Sequence, residues 1–127
     1  MFIDSTTRSL EVVLAGAVTT NQLVCTCDFT TNFNDASTSA PGTFEVLTNG
    51  ATPVAVTNPT NPAASYVITV QELNIFNADT VAATVKVQTN NSGTRYVRCY
   101  ATLQPNESLH YSKTLGFFVI DANGNRK

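Results

Sequence analysis

From Ala64 to Asp121 apolar and polar residues alternate with a period of two, and four short polar turns interrupt the alternation. That pattern commits the segment to five antiparallel β-strands, because a period of two fits a pleated strand and not a helix. The first strand, Ser65 to Phe76, changes phase along its length. Tyr66, Ile68 and Val70 share one parity while Leu73 and Ile75 take the other, which calls for a bulge near Gln71 and Glu72. An Asx-type turn at Asn77 to Asp79 leads into a strand with Val85 and Val87 on the buried side and Thr84, Lys86 and Gln88 on the wet side. The Asn90 to Gly93 sequence NNSG is the strongest hairpin signal in the chain, since Asn and Gly adopt positive φ cheaply.

In the strand Arg95 to Leu103, parity puts Val97, Cys99, Ala101 and Leu103 inward and Tyr96, Arg98, Tyr100 and Thr102 outward. Pro105 favours a turn at Gln104 to Glu107. The return strand has Leu109 and Tyr111 on one side, and Gly116 permits a reversal into FFVID. Turns at such short intervals, with no helical period between them, predict an all-β fold, an antiparallel sandwich or barrel.

Ahead of this block, Phe2 and Ile3 precede a polar DSTTRS segment, so residues 1–8 read either as an N-terminal arm or as an edge strand of the same domain. SLEVVLAG is a strand ended by Gly16, and LVCTCDFTTNF is another, with Leu23, Cys25, Cys27 and Phe29 on one parity. Asn32 to Gly42 reads as a loop by composition, and TFEVL as a short strand. Prolines at 53, 59 and 62 leave only Val54 to Val56 able to pair, and TNPTNP reads as a crossover between sheets. Nothing divides residues 1–127, so a single domain is expected, large enough to bury about two thirds of its unfolded surface.

Charged residues are only 13% of the chain, about half the usual share, which suits a protein packed among copies or partners. A net charge of −2, with seven Lys and Arg scattered singly, offers no basic stripe for nucleic acid, so no nucleic-acid partner is expected. The opening MFID has neither the charged n-region nor the apolar h-region of a signal, and no stretch is long enough to span a membrane.

The sequence holds no catalytic, cofactor-binding or metal-binding constellation, so no such residue is expected and the chain reads as a non-enzyme. Cys25, Cys27, Cys99 and the sole histidine, His110, have the residue types of a zinc site. The spacing argues otherwise, because Cys-x-Cys within a strand directs both thiols along one face ~7 Å apart instead of converging them from a turn. Small buried hydrophobes are the expected role, and an odd count without a signal sequence fits reduced thiols. His110 lacks a local nucleophile or orienting carboxylate, and its parity opposite Leu109 and Tyr111 places it on a solvent or subunit face. DANGN at Asp121 to Asn125 only partly echoes a calcium loop and reads as a turn. Tyr96, Arg98 and Tyr100 can stack on bases or sugars, but with so little positive charge nearby the oligomer-interface reading leads.

Three stretches carry a resemblance: SLEVVLAGAVTTNQL near the start, NIFNADTVAATVKVQTNNSGTR in the middle and ATLQPNESLHYSKTLGFFVIDANGNRK at the end. Together they resemble small virion structural proteins of tailed bacteriophages, over both ends and the second half of the chain. The resemblance implies a jelly-roll-like β-sandwich of about eight strands and a virion location after assembly inside the host bacterial cytoplasm. It implies a capsid decoration or cement protein, a homo-oligomer expected to be a trimer, whose partner is the major capsid protein. A component of a tail fibre, head fibre or neck that recognises the host surface through loops such as Asn32 to Gly42 is the alternative. The motifs are structural and carry no functional residues to transfer.

Overall fold

A computed structural model of the chain describes residues 1–35 and 38–127, and every regular element among them is a strand. In chain order these are β1 (Phe2–Ile3), β2 (Arg8–Leu14), β3 (Val24–Phe33), β4 (Ser39–Leu47), β5 (Val54–Ala55), β6 (Tyr66–Phe76), β7 (Ala83–Asn91), β8 (Thr94–Leu103), β9 (Ser108–Ser112) and β10 (Gly116–Ile120). They form two antiparallel sheets. The larger runs β10-β9-β6-β3-β4, and β1 lies along the half of β6 that β9 leaves open; the smaller runs β5-β2-β7-β8. The sheets stack as an all-β sandwich. Hairpins join β3 to β4, β7 to β8 and β9 to β10, and the other long connections cross between sheets, including the proline-rich one after β5.

The core lies where the inner faces meet. Leu10, Val12, Leu14, Val85, Val87 and Leu103 come from the smaller sheet, and Ile3, Cys25, Cys27, Phe29, Ile68, Val70, Leu73, Ile75 and Leu109 from the larger. Ile3 is fully buried opposite Ile68, and the Met1 backbone accepts from the Val70 amide at 2.8 Å. The phase change within β6 is a bulge at Gln71. Asp28 pairs with Glu72 and Phe29 with Val70, so Gln71 has no counterpart, and the inward set switches from Ile68 and Val70 to Leu73 and Ile75.

Four expectations need correction. Asn32 to Gly42 is strand at both ends: β3 runs to Phe33, β4 begins at Ser39, Asn34 and Asp35 lie in a turn, and Ala36 and Ser37 lie outside the described residues. The segment forms strands because β4 is an edge, where Pro41 sits without costing a ladder bond and Gly42 lets the Phe29 ring lie close against the backbone. Gln88 is buried, not wet, because its amide donates to the Glu11 carboxylate at 3.0 Å. Val97 is exposed, not inward. A second bulge, at Arg98, shifts the register so that Val87 faces Cys99 while Gln88 faces Val97, turning Val97 to the outer face. The same bulge splits the outward row. Tyr100 pairs with Lys86 on the outer face, whereas Tyr96 pairs with Thr89 on the inner side, and Arg98 reaches back to the Thr89 hydroxyl.

Candidate interaction surface

Each residue considered for chemistry has a structural role in its place. Cys25 and Cys27 both point inward and are fully buried, and burial pushes each thiol up to about 12. Cys99, half-buried opposite Val87, is also raised by burial. These three are free thiols that pack as small hydrophobes. His110 lies on the outer face of the larger sheet, stacked on Phe118 at 5.6 Å, with its Nε2 3.0 Å from the Ser108 hydroxyl. Burial lowers its pKa, against the opposing charge of Glu72. Among the described residues no three His, Cys, Asp or Glu side chains gather as a metal site would require.

Three of the carboxylates are held by local bonds. Asp79 accepts from the backbone amides of Thr19 (2.7 Å), Thr20 (2.8 Å), Asn21 (3.2 Å) and Thr80 (2.9 Å), which ties the β2–β3 connection to the β6–β7 connection. The bond from Thr19, then those from its neighbours, hold its pKa low against burial. Burial pushes Glu11 up, yet bonds from Gln88, Asn90 and Arg95 outweigh it and leave the acid below its ordinary value. Asp121 accepts from the Asn123 and Asn125 amides, so DANGN is a self-contained turn with Gly124 at φ +86.

What remains unpartnered is strand edge. Among the described residues β8 pairs only with β7 and β4 only with β3, each leaving a long side open. β5 has two residues, and the free side of β10 is met by the end of the chain, where the Lys127 amide bonds the Val119 carbonyl and Arg126 bridges to Ile120. The β8 edge is apolar as well as open: Tyr96, Val97 and Tyr100 are 55%, 57% and 65% exposed. On the β4 edge Leu47 is 56% exposed. Open edges bearing large apolar residues are sites where another chain adds on, unless charge or proline blunts them.

The two edges differ in charge. Between Arg8 and Lys86 the sequence holds six acids and no lysine or arginine, whereas from Lys86 onward it holds six bases and two acids. Reading the bases as scattered singly missed this, because the signal lies in their order along the chain and not in their number. The fold converts order into sides. β4 lies beside β5 and β8 beside β9, so Glu45 on β4 and Asp28 on β3 mark one flank. Arg95 and Arg98 on β8, with Lys113 after β9 and Arg126 over the Phe118 ring at 4.7 Å, mark the other. The arrangement presents two open edges of opposite charge.

No protein-family model, no curated protein and no solved structure matches this chain. Among the described residues no helix is long and apolar enough to cross a membrane.

Proposed function

We propose that this protein is a structural component of a tailed-bacteriophage virion, a capsid decoration or cement protein that self-associates and binds neighbouring major capsid subunits. The observation that carries the reading is the open edge of β8, ten residues long with Tyr96, Val97 and Tyr100 exposed. Such an edge is an aggregation hazard for a free monomer and an asset for a chain that spends its life covered by neighbours. The virion assignment itself rests on the motif resemblance of the two ends and the second half, and low charge agrees with it. Stabilisation would follow mass action: a protein that binds only the assembled lattice favours that state in proportion to its affinity. Assembly inside the host cytoplasm suits the free thiols. A host-recognition role in a tail or head fibre is the alternative; of the segment offered as its loop, the ends Asn32–Phe33 and Ser39–Gly42 are strand.

The test is to strip the protein from purified particles and compare resistance to heat and osmotic shock with that of complete particles. Stripped particles are expected to rupture sooner and to recover when the protein is added back. Equal resistance of the two would contradict the cement role.

A further inference from the structure

The two open edges are complementary to each other. In β4 the Thr48 amide, just past the strand, bonds back to Leu23, so even-numbered residues direct their backbone groups at β3 and odd-numbered ones direct theirs outward. Pro41 falls on the outward set, where its missing N–H closes that end to pairing. Thr43, Glu45 and Leu47 remain, offering outward N–H and C=O groups beside one exposed acid and one exposed leucine. On β8 the corresponding stretch offers Arg98 flanked by Tyr96, Val97 and Tyr100, all exposed. Pairing β8 with β8 across a two-fold axis would bring arginines together, and β4 with β4 would bring Glu45 against its copy; like charges on opposed strands disfavour both.

We infer that the β8 edge of one copy of this chain adds onto the Thr43–Leu47 portion of β4 in a second copy, a head-to-tail contact that joins Arg98 to Glu45 and covers the exposed Tyr100 with Leu47. This rests on the self-association proposed above and names the surfaces that carry it. A head-to-tail contact uses two different patches on each copy, so it closes into a ring such as a trimer when its rotation permits, while an isologous dimer stops at two. It also leaves the His110 and Phe118 face of the larger sheet available to another partner.

The experiment is a charge swap read by light scattering across concentration. Wild type is expected to self-associate, more weakly as salt is raised. Arg98→Glu and Glu45→Arg alone are each expected to weaken association at least about tenfold, as like-charge contacts at an interface do. The double variant, carrying both changes in one chain, is expected to associate again. An equimolar mixture of the two single variants is expected to associate again through alternating copies, because the acidic edges of one variant match the basic edges of the other, and it cannot close into an odd ring such as a trimer. Circular dichroism and melting of each variant check that the sandwich is intact. Normal association of Glu45→Arg, or a double variant no better than Arg98→Glu, would overturn the head-to-tail contact while leaving self-association standing. A wild type that remains monomeric up to its solubility limit would overturn both.

Discussion

Asp79 shows how one carboxylate organises a fold from outside its core: four backbone amides from two connections converge on it, and the Asp79 amide donates to the Asn77 side-chain oxygen at 3.0 Å. Because these bonds favour the charged form, the folded pKa lies below the unfolded one, so its contribution is complete above the unfolded value of about 3.9 and is lost as pH falls through the folded value. Asp79→Asn is therefore expected to lower Tm at neutral pH and to flatten the acid side of the Tm-versus-pH curve; a variant whose curve parallels wild type below pH 4 would contradict this. Gly42 makes the opposite kind of point, that a missing atom fixes an arrangement. A Cβ there would stand 2.8 Å from the Phe29 ring, and that ring is part of the core. Gly42→Ala is expected to cost about 1–3 kcal/mol in urea unfolding, the range for overpacked sites. Adding Phe29→Leu is expected to make the combined loss smaller than the sum of the single ones, because the two sites share one space.

At the level of elements, the β7–β8 hairpin has Ser92 at φ +51 and Gly93 at φ +92, the two positive angles that a tight turn between right-twisted strands requires. Gly93→Ala is expected to lose roughly 1 kcal/mol, and Ser92→Asn to be neutral or slightly stabilising, both by denaturant titration. This turn was legible because NNSG admits few other conformations, although Ser92 and not an asparagine takes the first strained position. The bulge at Gln71 was legible for a different reason: buried residues lie on both sides of it, so the slip appears as a change of parity from Val70 to Leu73. The bulge at Arg98 left no such trace. Val97 and Cys99 share a parity and both are apolar, so the sequence reads as an unbroken strand, and only the pairing with Val87 and Gln88 reveals the slip. The first half of β4, Ser39 to Gly42, was hidden because an edge strand accepts the proline, glycine and small polar residues that elsewhere mark a loop, whereas Thr43 to Leu47 was legible as a short strand. The inward cysteines were readable from parity with Leu23 and Phe29, and the interaction surface only in part, as an aromatic row whose true facing depended on the bulge.

For the molecule as a whole, the features that stand out are a weakly charged sandwich and two long open strand edges. The exposed β4 edge carries Glu45 and the exposed β8 edge carries Arg98, so the two long open edges differ in charge. Such a design suits repeated copies on a lattice, where every copy meets the same neighbours. The most direct measurement is the number of copies per particle, from quantified band ratios of purified virions against the major capsid protein. A decoration protein is expected to be present in simple proportion to the capsid lattice; a handful of copies per particle, as at a single tail or neck, would contradict it.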